Sequence, residues 1–308
     1  MSNVKYHLVA FLVVAIWGST FVFTKLLLQE GLSPAQIFTL RFLVAYVLLA
    51  GYYLLTHRSS HSFRLFADTV KDELLLLALG ISGGSVYFLA ENAAMLYTTA
   101  TNTSLIVCSC PLFTMLLVAL VYRHSERFSR TQMLGSLMAC TGMAVVVLNG
   151  HFVLHLSPIG DLLAFAACLL WAVYSLLMKD VSQRYGSLFI TRKVFFYGLL
   201  TMMPYYAYHP EELSVFSAQV SPLQIPSSVL FNLLYLAVVA SMLCYLLWGW
   251  VIKRLGAVEA TNWVYVNPLS TILFAWWLLD EQITIWLWLG TALILTGMYL
   301  CDRRGSQR

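Results

Sequence analysis

Along the 308 residues, long apolar runs alternate with short polar intervals. Ten runs stand out, at approximately 6–28, 34–56, 73–92, 96–121, 131–149, 159–178, 188–207, 228–250, 258–279 and 283–301. A helix of roughly 20 apolar residues crosses the hydrocarbon core of a bilayer. The strict alternation of a membrane β-barrel strand is absent. Most intervals are short, which suits antiparallel neighbours; the longest are 57–72 and 208–227. The pattern predicts an all-α integral membrane protein with ten transmembrane helices. The first run, Tyr6 to Leu28, is expected to stay as a helix, because it is long enough to span and no small-x-small cleavage site follows it.

Composition agrees: 60% of residues are hydrophobic and only 10% charged, against about 25% charged in soluble domains. The six cysteines, Cys108, Cys110, Cys140, Cys168, Cys244 and Cys301, fall in or beside apolar runs and make no CxxC pair. They read as reduced, small apolar side chains, and neither a metal nor another cofactor is expected.

The net charge of +4 does not call for a nucleic-acid partner, because its distribution has another explanation. With the N-terminus inside and sides alternating, the interior intervals collect Lys5, Arg58, Arg64, Lys71, Arg123, Arg127, Arg130, Lys179, Arg184, Lys253, Arg254, Arg303, Arg304 and Arg308. These are fourteen of the 18 basic residues; the exterior intervals hold acids such as Glu30, Glu211, Glu212, Asp280 and Glu281. This positive-inside pattern predicts that both termini are cytoplasmic.

The two halves also resemble each other. Trp17 and Lys25 match Trp171 and Lys179; Ala100 and Pro111 match Ala257 and Pro268. Gly135 matches Gly290, Thr141-Gly142-Met143 matches Thr296-Gly297-Met298, and Glu126 matches Glu281. Five spans per half is an odd number, so the second copy is inverted relative to the first. Two such halves can exchange conformations around a shared midplane site.

Through Trp17-Gly18-Ser19 to Lys25, Ala100 to Pro111 with Glu126, and Ala257 to Pro268 with Glu281, the chain resembles the drug/metabolite transporter superfamily, EamA type, over nearly its whole length. It departs where Ala172-Val173 replaces Gly18-Ser19 in the second copy. The resemblance implies two five-helix repeats, 1–150 and 151–308, in a bacterial inner-membrane protein that exports or exchanges small metabolites, often amino acids or related compounds. Substrate identity, coupling and oligomeric state are not implied.

Glu91 is the most informative single residue. A carboxylate in hydrocarbon costs on the order of 3 kcal/mol, so such groups usually face a cavity and have a role. Tyr87 shares its helical face. Glu91 either accepts a proton that couples transport to a gradient or reaches the outer headgroups. Lys25 either binds a substrate carboxylate, pairs with Glu91, or snorkels outward; Arg41 has the same ambiguity. Arg192 and Lys193 read as interfacial anchors.

The fourth and ninth runs, carrying Asn102, Ser109 and Pro111, and Asn262, Tyr265, Asn267 and Pro268, are the expected substrate pathway. Each proline removes a backbone donor and either forms a hinge or a static kink; the polar side chains are pathway groups or interhelical glue. Asn92 is a further polar candidate. Trp17, Tyr87, Trp171, Tyr174, Tyr245 and Trp248 could wall a pocket, whereas Trp276, Trp277, Trp286 and Trp288 suit an interfacial belt. The paired glycines read as helix-packing devices. The site is expected where spans one, three and four meet six, eight and nine. A membrane enzyme, receptor or assembly component is the alternative, but no HExxH, GxSxG or paired-aspartate motif is present, and His151 with His155 does not complete a metal site. The expected partners are a small-molecule substrate, the lipid bilayer and, through Glu91, protons.

Overall fold

The computed structural model describes residues 4–57, 64–98, 100–122, 129–148, 157–216, 226–279 and 285–302. Arg58, Arg123, Glu126, Arg127, His151, His155, Asp280, Glu281 and the basic C-terminal residues lie outside these ranges, as do the side chains of Asn102, Trp276 and Trp277.

Among the described residues all regular structure is helical. We number twelve α-helices: α1 Val4–Gln29, α2 Pro34–His57, α3 Val70–Tyr97, α4 Ala100–Val107, α5 Cys110–Val121, α6 Arg130–Leu148, α7 Pro158–Arg184, α8 Ser187–Tyr208, α9 Ser227–Leu255, α10 Ala257–Asn262, α11 Asn267–Leu279 and α12 Ile285–Asp302. Their ends follow local chemistry. Thr69 caps α3 by accepting the Asp72 N–H, and Asp72 and Glu73 place negative charge in its first turn. Pro158 opens α7. Gly256, at φ +86°, closes α9.

Five helices (α1, α2 over Pro34–Leu55, α3, α7 and α9) are long and apolar enough to cross a membrane, and Cys110–Val121 and Trp288–Cys301 are shorter apolar helices. Large apolar side chains such as Leu8, Leu55, Leu134, Leu162 and Leu289 are exposed. That much apolar surface is suited to lipid. The molecule is a multi-pass membrane protein.

Four apolar runs are broken. α3 and α9 contain π-helical stretches, Ile81–Ser85 and Tyr235–Leu243, which are enriched at functional sites. The fourth run divides into α4 and α5 just before Pro111, and the ninth into α10, a 3₁₀ stretch Trp263–Val266, and α11 just before Pro268. A proline cannot donate to the carbonyl four residues back, which accounts for interruptions at these two points.

Packing contacts come in matched pairs when first-half helices are exchanged for second-half ones. α3 packs on α7 as α9 does on α1; α3 on α8 as α9 on α2; and α1 on α11 as α7 on α5. α2 meets α8, and α6 meets α12. In the last pair a Cβ on Gly135 would lie 2.6 Å from the Gly297 carbonyl oxygen, and one on Gly142 2.7 Å from that of Gly290. Only glycine permits this approach. The crossed numbering shows that α6 and α12 run antiparallel.

The helix ends are tied in two groups. In one, Arg184 and Tyr185 bond Asp72, Lys193 and Tyr197 bond Glu73, and Gln183 donates to the Lys253 carbonyl. Arg192 donates to the Arg64 carbonyl at 2.6 Å with its guanidinium over the Tyr53 ring. Arg192 and Lys193 are buried, and these bonds tie the first turns of α8 to the Arg64 carbonyl and to Glu73. In the other group, Ser33 and Tyr205 bond the Glu212 carboxylate and Gln36 donates to the Glu212 carbonyl.

Candidate functional site

A cavity opens between the two halves where the broken helices meet. Its free volume is about 30 Å³, room for one or two water molecules. In this conformation the rings nearly fill it. Its walls come from α1 (Trp17, Thr20, Phe21), α2 (Arg41), α3 (Tyr87, Phe88, Glu91), α4 and α5 (Val107, Cys110), α7 (Trp171), α9 (Tyr245) and the 3₁₀–α11 junction (Val264, Asn267). This is the junction expected from the sequence, with α2 added.

The rings interlock. Trp17 and Trp171, matched positions of the two halves, meet edge to face with centroids 5.1 Å apart. Tyr87 lies 5.1 Å from Trp171, and Trp248 is packed 5.0 Å from Trp17. The π-helical stretches anchor two of these rings: Trp17 Nε1 donates to the Ala240 carbonyl at 2.9 Å, and Tyr245 O–H to the Gly83 carbonyl at 2.5 Å. Gly83 has no room for a side chain, since a Cβ would fall 2.2 Å from the Tyr174 ring. Tyr174 stacks on Trp171 at 4.9 Å. Tyr174 and Trp248 thus form a layer behind the wall.

Two opposite charges face this space. Glu91 is buried and accepts the Tyr87 hydroxyl at 2.7 Å. Arg41 is buried, donates from Nε to Ser241 Oγ, and lays its guanidinium 4.5 Å from the Phe88 centroid. Among the described residues, the charged and titratable groups that act on Glu91 or are acted on by it are Arg41, Tyr87, Tyr245 and Cys108. Asn267 lines the same cavity, and its buried Oδ1 has no hydrogen-bonded donor among the described residues.

Both proline breaks border the cavity. Val107 and Val264, four residues before Pro111 and Pro268, line it, as do their neighbours Cys110 and Asn267. The Val264 carbonyl takes the Asn267 N–H instead of a helical donor.

Several expected residues are placed elsewhere. Lys25 Nζ donates to the Met95 carbonyl at 2.8 Å, fastening α1 to the end of α3 and not reaching Glu91. Asn92 donates to the Pro34 carbonyl at 3.2 Å. Ser109 caps Ile106 and touches Cys168. Tyr265 shares a hydrogen bond with Ser136 on α6, 2.8 Å away, and Asn262 is half-buried outside the cavity wall. Arg41, left by the sequence between binding a substrate carboxylate and snorkelling to the interface, lines the cavity. The available signal was an arginine within an apolar run, which bears a high cost unless it faces a cavity or partner.

A multi-pass helical bundle that holds a charged, ring-walled chamber where its helices break has the architecture of a membrane transporter. The chain belongs to the EamA-like transporter family, whose model matches residues 4–148 and again 158–301. It is 26% identical to an uncharacterized transporter of Archaeoglobus fulgidus over 99% of this chain and 100% of the relative. It is 27% identical to a probable amino-acid metabolite efflux pump of Escherichia coli, over 96% and 94%. With a probable terminal-alkyne amino-acid exporter of Streptantibioticus cattleyicolor it shares 25% identity over 95% and 92%. A solved crystal structure covers 100% of both chains with a TM-score of 0.72 at 19% identity, a likeness of fold alone. The chain is a small-molecule transporter.

Proposed function

We propose that this transporter exports small amino-acid-related metabolites across a bacterial inner membrane by alternating access, in exchange for protons taken up at Glu91. Ten membrane spans form two inverted five-helix repeats, 1–150 and 151–308, with both termini cytoplasmic. The observation that carries this reading is the cavity itself: matched elements of the two halves wall it, and it contains a carboxylate and a guanidinium in otherwise apolar surroundings. Support for the repeats comes from the matched packing pairs and the crossed glycine contacts of α6 and α12. Support for the topology comes from the two groups of end ties. One joins residues near 72, 184, 193 and 253, all expected inside; the other joins residues near 33 and 212, expected outside. The relatives' names favour amino-acid compounds and export.

Mechanistically, the breaks before Pro111 and Pro268 serve as hinges on opposite sides of the cavity. The ties at the inner end close that side; breaking them opens the cavity inward, while parting of the Glu212 and Lys25 ties opens it outward. Glu91 alternates between its charged and protonated forms as the cavity changes side. Counterflow tests the reading: proteoliposomes preloaded with an unlabelled compound should transiently accumulate the labelled form of an amino acid. A panel of amino acids, organic cations and nucleosides that gives no accumulation with folded protein overturns it.

A further inference from the structure

Arg41 and Glu91 are 3% and 7% exposed, yet they are not ion-paired with each other. Among the described residues, the hydrogen bond of the guanidinium runs from Nε to Ser241 and that of the carboxylate comes from Tyr87 to Oε1. The Nη1 and Nη2 atoms of Arg41 and Oε2 of Glu91 have no protein partner there, and they are not sealed within protein: both residues line the cavity. Buried charges are normally paired, because leaving them bare sacrifices their solvation. A site that presents one bare edge of each sign is suited to a ligand that carries both.

The arginine is also held in one orientation. Ser241 sits in the π-helical stretch of α9 and donates its own hydroxyl proton to the Leu236 carbonyl at 2.8 Å, which leaves its oxygen to accept Arg41 Nε. Phe88 covers one face of the guanidinium. With Nε and one face occupied, the Nη1–Nη2 edge is presented as a fork, the geometry that binds a carboxylate through two parallel hydrogen bonds.

We infer that the Arg41 fork binds the carboxylate of the transported molecule while Glu91 holds its ammonium group, so that the site selects zwitterionic amino acids over molecules carrying either charge alone. Trp17, Phe88, Trp171 and Tyr245 receive an apolar or aromatic side chain. Glu91 holds the ammonium in one half-cycle and a proton in the other. The two compete for one carboxylate, and that competition makes the exchange obligatory. This inference rests on the transport reading above.

The test compares phenylalanine with phenethylamine, which lacks the carboxylate, and with 3-phenylpropionate, which lacks the ammonium. Each is used to compete for labelled-phenylalanine counterflow and to raise the melting temperature of the purified protein. Wild type should favour phenylalanine over either analogue by roughly tenfold or more. Arg41→Gln should lose most affinity for phenylalanine while its weaker affinity for phenethylamine stays within about threefold, because the amide cannot supply the charged fork. Arg41→Lys keeps the charge without the fork and should recover part of the preference. Only variants that elute as monodisperse protein are compared, and the lysine variant stands in if the glutamine variant does not fold. A wild type that carries phenethylamine as well as phenylalanine, or an Arg41 variant with unchanged preference, overturns the inference and leaves transport standing. No binding or flux for any of the three overturns it, and the counterflow panel above then decides whether the transport reading stands.

Discussion

At the scale of single residues, Glu91 carries the coupling. Replacing it with glutamine retains the hydrogen bond from Tyr87 and the shape of the cavity but removes the titratable charge. Glu91→Gln should therefore fold normally, yet flux driven by an imposed pH gradient should vanish. Counterflow should survive at higher substrate concentration, because the amide oxygen still accepts from an ammonium. The pH dependence has a definite sign. Protons and substrate compete for Glu91, so wild-type affinity falls as the pH is lowered, and the variant should show a flat profile over the same range. Unchanged pH-driven flux in the variant would remove Glu91 from the mechanism. The Glu91–Tyr87 pair was legible in the sequence, since a carboxylate in an apolar run is costly wherever it has no task. Arg41 was not assigned, because a basic residue seven positions into a span can also snorkel to the interface. Its bond to Ser241 depends on a π-helical turn in α9, which apolar periodicity does not reveal.

Helical elements set which side chains face the cavity. In the ninth run the 3₁₀ stretch Trp263–Val266 changes the angular register, so that Val264 and Asn267 reach the cavity while Tyr265 turns toward Ser136. Asn262 and Tyr265 were expected in the pathway as polar groups of a proline-broken run, and polarity alone does not say which face of the run each occupies. The prolines marking the breaks were visible in the sequence. If they act as hinges, Pro111→Ala with Pro268→Ala should lower the exchange rate several-fold while substrate affinity and melting temperature stay near wild type; an unchanged rate would make the breaks static kinks. The α6–α12 crossing has a packing role. A Cβ on Gly297 would fall 2.5 Å from both the Gly135 carbonyl oxygen and the Ala139 amide nitrogen. Gly297→Val should therefore cost about 1–3 kcal/mol, read as a lower melting temperature in detergent. No loss would mean that these helices can separate freely.

For the whole molecule, the hydrophobic spans, charge alternation and internal matches were all readable from the chain, because lipid imposes long apolar helices and charge asymmetry sets their direction. The ties that close each end were not readable, since Asp72 to Arg184 and Glu73 to Lys193 join residues more than a hundred positions apart. In the alternating-access account, these ties hold the inner end shut. Asp72→Asn weakens the bond to Arg184 and should shift the population toward the inward-open form.

The claim that one cavity is exposed in turn to both faces is tested most directly by a single accessible thiol. Thr20 lines the cavity from α1, so Thr20→Cys, in a chain with its six native cysteines replaced, can be exposed to a charged, membrane-impermeant methanethiosulfonate in right-side-out and inside-out vesicles. The account predicts modification from both faces, protection from both by saturating substrate, and faster modification from the inner face when Asp72→Asn is added. Modification from one face only, under every condition of substrate and pH, would contradict it.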